Sequence, residues 1–433
     1  MNQKSLYLET RTFKNEFNNL FDYESTNTKD KDIVLNTTSY ITRNNQYINS
    51  NNNLPCNNKE EFLFKVNHDN NNFIIENDIK NNIIPTEQNI RDLNNKIWYV
   101  LKRDPNQSRQ IIDNNNEDYY LCINDIIKVG RSKLLVSEIN IPKRQNNIDI
   151  ELNEEEDDDA NIYGIDNLNR YNEPVLECSP LVKDASEFND IPNEEKICKV
   201  CYLGDYDRFN NPLINMCDCN GGIKFTHFLC IKKWMKTKII VRENSKKTVK
   251  SYYLQNFNCE ICKAPYHNKF KIKDLDKTFE LIDIEKPNEE NYLVLESLNQ
   301  VKNNSNNKSI HVAKLTGDDL ILGRNSQSDI FVREISVSRN HSLIKYNSND
   351  GKILIRDYKS KFGTLVLVKR PLVIKDQKIC LQIGCSYIAA HTKNTKKFHK
   401  ALFKVEHFGR QEINDIDNNI KKDKMIIEED ENR

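Results

Sequence analysis

The sequence contains no run of about 18 apolar residues, the length that a helix needs to cross a bilayer. The segment Met1–Ser5 lacks the apolar core of a secretory signal, so we expect a soluble protein of a reducing compartment, the cytoplasm or the nucleus. The net charge is zero, from 64 basic and 64 acidic side chains, which gives no general attraction to nucleic acid or to an anionic membrane. No Ser/His/Asp set, glycine-rich phosphate loop or carboxylate pair stands out, so we predict no catalytic nucleophile.

Apolar residues are also scarce: 37% of the 433 residues are hydrophobic and 30% are charged. A chain this polar cannot bury a core along its whole length, which predicts compact domains separated by unstructured segments. Residues 1–90 are rich in asparagine, which favours turns, and we expect them to be disordered. Residues 146–192 form an expected acidic linker, residues 271–289 a lysine-rich linker, and residues 394–433 a charged tail.

Two stretches carry strand patterns. In residues 290–393, short apolar segments alternate with turn signals, which predicts an all-β sandwich. Residues 91–145 predict a smaller β-rich unit, either an accessory unit or a degenerate copy of the sandwich. Within it, Ile126–Gly130 is similar to Cys380–Gly384. We interpret a likeness of only five residues as coincidence.

The cysteines are concentrated in one place, because seven of the twelve lie between Cys198 and Cys262. In a reducing compartment we expect cysteines to be free thiols or metal ligands rather than disulfides. With one histidine they form four close pairs, the ligand set that two tetrahedral zinc ions require. The sequence therefore predicts a zinc finger over residues 193–270, with the ligands Cys198, Cys201, Cys217, Cys219, His227, Cys230, Cys259 and Cys262.

The ligand order, four cysteines, one histidine and three cysteines, resembles that of the RING-CH (RINGv) fingers. PHD fingers share this order, but the single residue Asp218 between the third and fourth ligands favours RING-CH, as does Phe257 where PHD fingers have tryptophan. One departure is the gap of 28 residues between Cys230 and Cys259, which we expect to be a basic loop. The resemblance implies a cross-braced α+β fold in which the first and third pairs bind one zinc ion and the second and fourth pairs the other.

RING-CH fingers act as ubiquitin ligases, so the resemblance implies a ubiquitin-conjugating enzyme and ubiquitin as partners, with catalysis by positioning. It also implies an apolar docking surface for the conjugating enzyme at Val200, Trp234 and Pro265. The alternative for Trp234 is ordinary core packing. Lys263 stands where active RING ligases often have an arginine that contacts ubiquitin, and lysine lacks the planar fork of arginine.

Three motifs in the later β-rich stretch, Leu322–Arg324, Ser338–His341 and Asp357–Thr364, resemble the forkhead-associated (FHA) domain. FHA domains are β-sandwiches that bind phosphothreonine on loops at one end, where arginine and hydroxyl groups hold the phosphate. Phe362 replaces the asparagine that normally grips the peptide main chain, which leaves open a surface for unphosphorylated partners. By position, the resemblance implies phosphopeptide contacts at Arg324, Ser338, Arg339 and Lys361, and structural roles for Gly323, His341 and Gly363.

These patterns together predict a multidomain protein, a small cross-braced two-zinc finger plus an all-β FHA-like sandwich with long disordered segments. The leading hypothesis is a RING-type ubiquitin-protein ligase whose FHA domain recruits a phosphothreonine-containing protein. Flexible connectors would let the two modules approach each other. The alternative is a non-enzymatic adaptor, which Lys263 and Phe362 favour. We expect no nucleic acid among the partners and no membrane span.

Overall fold

The computed structural model describes residues 4–13, 20–44, 46–54, 60–69, 72–76, 93–102, 119–141, 181–273, 275–288, 290–298, 308–374 and 378–394. Residues 146–180 of the expected acidic linker and residues 395–433 of the expected tail lie outside these ranges. The described chain is mainly β-structure, and its one α-helix is α1 (Phe228–Lys236). Among the described residues, no helix is long and apolar enough to cross a membrane.

In the described part of the chain, ten strands precede residue 141. They are β1 (Lys4–Phe13), β2 (Thr28–Leu35), β3 (Ser39–Asn44), β4 (Tyr47–Asn51), β5 (Glu61–Asp69), β6 (Asn72–Glu76), β7 (Trp98–Val100), β8 (Tyr119–Tyr120), β9 (Ile126–Val129) and β10 (Ser132–Asn140). The expected disorder of residues 1–90 is therefore wrong for the described residues of that stretch. Apolar and polar positions alternate there, so that β6 buries Phe73 and Ile75 while Asn72 stays exposed. Asparagine occupies solvent-facing positions, and its abundance is compatible with a folded sheet.

The predicted finger region and its flanks contain more regular structure than the spacing indicates. The strands are β11 (Leu181–Asp184), β12 (Leu213–Asn215), β13 (Phe225–His227), β14 (Ile239–Glu243), β15 (Val249–Leu254), β16 (Lys269–Ile272) and β17 (Leu275–Glu280). The expected acidic linker is wrong at β11, because this strand pairs with β12 and β16 of the finger. The expected basic loop is wrong, because β14 and β15 form an antiparallel hairpin. The expected linker at 271–289 is also wrong where it is described. There β17 pairs with β16, and Phe279, Leu281 and Ile282 are buried.

The C-terminal strands are β18 (Tyr292–Ser297), β19 (Lys308–Lys314), β20 (Leu320–Gly323), β21 (Ile330–Phe331), β22 (Ser342–Asn347), β23 (Lys352–Asp357), β24 (Thr364–Leu367), β25 (Leu372–Ile374), β26 (Ile379–Ile383) and β27 (Ser386–Asn394). A sheet of twelve strands runs in the order β14-β15-β19-β18-β10-β9-β24-β7-β26-β27-β1-β2. Two sheets of five strands accompany it, ordered β21-β20-β22-β23-β8 and β25-β6-β5-β3-β4. The finger has its own five-stranded sheet, ordered β13-β12-β11-β16-β17.

The strand pairings define two sandwich units of the same topology. In one, β1 pairs with β2 and β27, β5 with β3 and β6, and β6 with β25. In the other, β18 pairs with β19 and β10, β22 with β20 and β23, and β23 with β8. The antiparallel pair β7·β24 lies at the centre, and its outer neighbours are β26 and β9. Each unit thus takes its last strands from a distant part of the chain, β25–β27 in the first unit and β8–β10 in the second.

This exchange explains the likeness between Ile126–Gly130 and Cys380–Gly384. The two segments form β9 and β26, which occupy equivalent places in the two units. Both end in a glycine with positive φ, 57° at Gly130 and 55° at Gly384, where the chain turns into the next strand. The interpretation as coincidence is wrong. The prediction of a self-contained sandwich at 290–393 also needs correction, because β7, β8, β9 and β10 complete it.

The finger is joined to this assembly by a sheet and by a core. Strand β15 of the finger hairpin pairs with β19 along Val249–Leu254, so that the hairpin extends the twelve-stranded sheet. Phe228 and Met235 of α1 belong to the same hydrophobic cluster as Val294 and Ile310. The hypothesis that flexible connectors bring the two modules together is therefore wrong for the described chain. A continuous ladder of backbone hydrogen bonds fixes their arrangement.

Candidate metal centre and phosphopeptide site

The eight predicted ligands lie in two groups of four. One group contains Cys198, Cys201, His227 and Cys230, and the other contains Cys217, Cys219, Cys259 and Cys262. In each group the ligand atoms all lie within 4.8 Å of one another. The pairs that come together are the first with the third and the second with the fourth, as in a cross-braced finger. Three sulfurs and one nitrogen, or four sulfurs, are donor sets suited to tetrahedral zinc.

Backbone groups prepare the first group for a cation. The N–H groups of Val200 and His227 point at Cys198 Sγ, at 3.4 and 3.3 Å. His227 Nδ1 lies 3.2 Å from Cys201 Sγ, and its Nε2 donates to the Gly204 carbonyl at 3.0 Å. That second bond leaves the Nδ1 lone pair free for a metal and fixes the orientation of the ring.

The pKa values of the cysteine thiols also indicate that both ligand groups suit a bound cation. Burial raises the pKa of Cys259, but the backbone N–H groups of Cys262 and Ile261 outweigh this and lower it to about 6. Burial, and next the charge of Cys198, raises the pKa of Cys230 to about 12. Sulfurs this close repel one another as thiolates, so a bound dication is what allows all of them to ionise.

Three apolar side chains of the finger, Val200, Trp234 and Ile261, are exposed, and we call this set the exposed row. Val200 is 48% exposed and Trp234 is 43% exposed, so the alternative of a buried Trp234 is excluded. Ile261, which the sequence reasoning missed, is 59% exposed. The signal was present, because Val200 and Ile261 occupy the same position in Cys-Lys-Val-Cys and Cys-Glu-Ile-Cys. Lys238 connects the helix to the second knuckle, with its amine over the Trp234 ring and in an ion pair with Glu260.

The two remaining predicted docking residues lie close to the last ligand. Pro265 is half-buried and forms an isolated bridge with Asn258. Lys263 has a positive φ of 63°, and its amine donates to the Glu260 carbonyl at 2.8 Å. The amine of this exposed lysine is therefore bound to its own knuckle.

The FHA motifs form three neighbouring loops, which we call loop 1 (Arg324–Asp329), loop 2 (Arg333–Asn340) and loop 3 (Tyr358–Gly363). The Arg324 backbone N–H donates to the Ser338 carbonyl at 2.9 Å, and its Nε donates to the Val337 carbonyl at 3.0 Å. The Lys361 backbone N–H donates to Ser338 Oγ at 3.0 Å. Arg324 and Arg339 are exposed. The structure thus brings Arg324, Ser338 and the main chain of Lys361 together at one end of the sandwich.

Buried polar groups fix the shape of these loops. His341 Nδ1 accepts from the Ser338 backbone N–H at 2.9 Å, and its Nε2 donates to the Gly363 carbonyl at 3.1 Å. Burial lowers the pKa of His341, which matches the neutral ring that this pair of bonds requires. Asp357, which the sequence reasoning gave no role, accepts from Ser360 Oγ at 2.5 Å and from Thr364 Oγ1 at 2.8 Å. A single carboxylate thereby binds the middle of loop 3 and the residue that follows it.

The side chain of Lys361 does not stand free beside the phosphate position. Its amine forms an ion pair with Asp22 at 3.3 Å and lies 5.5 Å from the Phe362 ring. Asp22 belongs to the segment between β1 and β2, far away in the sequence. The backbone N–H of Lys361 therefore serves the site by holding Ser338 Oγ, while its side-chain charge is paired with Asp22.

Segments outside the FHA motifs support loops 2 and 3. The Arg131 backbone N–H donates to Ser336 Oγ at 2.9 Å, and a side chain at Gly130 would overlap Ser336. The Lys102 amine donates to the Ser360 carbonyl in loop 3. A Cβ at Gly363 would lie 3.0 Å from the Tyr23 ring. Segments that precede the finger in the sequence therefore touch both loops: the β9–β10 turn contacts loop 2, and Lys102 and Tyr23 contact loop 3.

Comparison with known families matches both modules. The model of the RING-variant domain matches residues 198–262, and the model of the FHA domain matches residues 320–385. The chain thus contains a RING-CH finger and an FHA domain, as the spacing and the three motifs predict. The first match begins and ends on predicted ligands, and the second includes all three loops.

Several ubiquitin ligases are similar to the finger region. Human E3 ubiquitin-protein ligase MARCHF8 is 26% identical over 112 residues, which is 26% of this chain and 32% of that protein. Human probable E3 ubiquitin-protein ligase MARCHF10 is 38% identical over 64 residues, or 15% of this chain and 7% of that protein. The chain thus covers 32% or less of the length of these two relatives. Among solved structures, the FHA domain of CT664 protein from Chlamydia trachomatis is 24% identical over 18% of this chain and 83% of that chain. Its TM-score is 0.11, too low to bear on the fold.

Proposed function

We propose that the chain is a RING-type ubiquitin-protein ligase that binds two zinc ions and recruits a phosphothreonine-containing protein through its FHA domain. The observation that carries the ligase proposal is the pair of Cys/His groups beside an exposed apolar row at Val200, Trp234 and Ile261. A buried tryptophan would have served only the core of the finger. Exposed tryptophan and aliphatic side chains are typical anchors of a protein interface.

In this proposal the finger supplies position rather than covalent chemistry. Zinc bound at the two groups would hold the knuckles in place without a large core. Val200 and Ile261 present apolar side chains from the two knuckles, and Trp234 presents its ring from α1. A conjugating enzyme docked on this row is held with its ubiquitin thioester oriented for attack by a lysine of the target, which lowers the entropic cost of transfer. Such partners place the reaction in the cytoplasm or the nucleus.

The target-binding half of the proposal rests on loops 1 to 3. Arg324 offers the Nη groups of its guanidinium, and Ser338 offers a hydroxyl group whose oxygen is held by the Lys361 backbone N–H; these groups lie on neighbouring loops. Together they match the charge and acceptor oxygens of a phosphorylated threonine. Exposed Arg339 adds positive charge beside them.

One observation favours the adaptor as a second candidate. The amine of Lys263 is bound to the Glu260 carbonyl, so that it would have to leave this bond to contact ubiquitin. An adaptor would use the same exposed row and the same loops for protein binding alone. A Lys263→Arg variant distinguishes the two, because a ligase limited at this position becomes faster, while an adaptor stays inactive.

The test is an in vitro ubiquitination assay with the full chain and a panel of conjugating enzymes. Trp234→Ala tests the docking row, Cys198→Ser tests the first metal group, and exposed Ile335→Ala in loop 2 serves as an apolar control outside the finger. We expect conjugates with at least one enzyme, lost in both finger variants and kept in the control. Zinc-loaded protein that yields no conjugates with any enzyme of the panel would contradict ligase activity and support the adaptor.

A further inference from the structure

The hairpin β14–β15 lies between two zinc ligands in the sequence, Cys230 and Cys259, yet it reaches loop 1 of the FHA domain. The Arg242 guanidinium donates through Nη2 to the Ser326 carbonyl and to the Ser328 carbonyl, the latter at 3.4 Å. Its Cζ lies 5.0 Å from the centre of the Phe331 ring, close enough for a cation–π contact. A single side chain of the finger thus contacts loop 1 and the strand that follows it.

Two neighbours of Arg242 complete this contact. Asn244 Nδ2 donates to Asp329 Oδ1 at 2.7 Å, and Asp329 Oδ2 accepts from the Ile321 backbone N–H at 2.9 Å. The Tyr253 hydroxyl donates to the Phe331 carbonyl at 2.8 Å. Hydrogen bonds from the finger therefore reach loop 1 at its centre, at its end and just beyond it.

Loop 1 in turn sets the position of the arginine that faces the phosphate. Ser328 Oγ donates to the Arg339 carbonyl at 3.2 Å, and the Asn325 backbone N–H donates to the same carbonyl at 3.1 Å. Gly323 packs so closely against Arg339 that any side chain would overlap its carbonyl oxygen. Because the backbone is closely packed here, a displacement of Ser326–Ser328 moves the backbone of Arg324.

We propose that Arg242, a residue of the zinc finger, is a positioning residue of the phosphopeptide-binding site. This inference rests on the proposed binding of phosphothreonine by loops 1 to 3. Arg242 does not contact the peptide. It holds two carbonyl groups of loop 1 and thereby keeps the Arg324 guanidinium in place for the phosphate. The finger that docks the conjugating enzyme also shapes the site that selects the target.

The test measures binding of a peptide library with one fixed phosphothreonine to the full chain, by fluorescence anisotropy. We expect Arg242→Ala to bind roughly tenfold more weakly, since a tenfold change corresponds to the loss of about one net hydrogen bond to a charged group. Arg242→Lys keeps the charge and one donor, and recovers part of the affinity. Lys250→Ala is the matched control, because Lys250 lies on the same hairpin but pairs with Glu243 and Glu285.

A second readout separates positioning from general destabilisation. With a phosphorylated target protein, Arg242→Ala should raise the KM for the target and leave kcat and the zinc content unchanged. In the wild-type chain, bound phosphopeptide should slow hydrogen exchange in Ile239–Leu254, because coupling between two sites is reciprocal. Equal affinity of wild type and Arg242→Ala, or exchange unchanged by the peptide, overturns the inference while phosphopeptide binding stands. A wild-type chain that binds no phosphopeptide overturns both.

Discussion

The exchange of strands between the two sandwich units predicts that the FHA domain does not fold as an isolated fragment. A fragment of residues 290–394 contains the whole match to the FHA family model. It nevertheless lacks β10, the partner of β18, and β7 and β9, the partners of β24. The fragment would expose the edges of β18 and β24, which have a partner on each side in the intact sheet, and unpaired edges are costly and prone to aggregation.

The missing burial is as large as the stability of an ordinary domain. Residues 93–141 contribute nine aliphatic or aromatic side chains that are at most 1% exposed: Leu93, Ile97, Trp98, Leu121, Ile126, Ile127, Val129, Leu134 and Val136. Full burial of one such side chain is worth about 1.5–3 kcal/mol, so the set contributes on the order of 15–25 kcal/mol. A typical domain is stable by about 5–15 kcal/mol. The stabilisation that the fragment lacks is therefore at least as large as the whole free energy of unfolding of a typical domain.

The assay compares urea unfolding and NMR dispersion of the 290–394 fragment with those of the full chain. We expect a narrow proton spectrum and no cooperative transition for the fragment. Co-expression of residues 1–141 with residues 181–394 should restore a folded complex, because the exchanged strands are then present again. A dispersed spectrum and a cooperative transition for 290–394 alone would refute the argument from strand exchange.

Three further predictions concern single groups. Gly363→Ala should lower the free energy of unfolding by more than Gly351→Ala does. Both glycines have φ near 70°, where a side chain costs about 1–2 kcal/mol, but only at Gly363 would the added methyl group also press on Tyr23. Equal losses in urea titrations would count against contact between Tyr23 and loop 3. Burial lowers the pKa of His311 to about 4, so that between pH 6.5 and 4 the unfolded chain takes up a proton that the folded chain does not. Stability should fall by about 3 kcal/mol more over this range in the wild type than in His311→Gln, and parallel pH profiles would contradict it. Elemental analysis should give two zinc ions per chain, one for each ligand group, and a chelator should unfold the finger; one ion or none would disprove the assignment.

The features that could be predicted from the sequence are those formed by residues close together along the chain. The zinc ligands come in pairs separated by one or two residues, and spacing alone grouped them. The three FHA motifs were recognised because their order along the chain is their order in the fold. Both modules are confirmed by the family models. Ile261 was missed only because the second knuckle was not compared with the first.

What could not be predicted depends on pairings between distant residues. Lys4–Phe13 pairs with Ser386–Asn394, and no local sequence pattern indicates a pairing partner so distant along the chain. The asparagine content of residues 1–90 concealed an alternation of apolar residues that is regular within each strand. The gap between Cys230 and Cys259 looked like an insertion because its partner, β19, lies in the other module. Composition was outweighed by tertiary pairing in each case.

The same long-range pairing determines where control over the phosphopeptide site can lie. Loop 1 is contacted by Arg242 of the finger, loop 2 by Arg131, and loop 3 by Lys102 and Tyr23. None of these residues lies within 320–385, the range that the FHA family model matches. Arg242 and Lys102 hold carbonyl groups of loops 1 and 3, and the Arg131 backbone N–H holds Ser336 Oγ of loop 2. Substitutions in segments without any resemblance to an FHA domain can therefore change the shape of these loops, and a comparison limited to the matched range would find no cause for the effect.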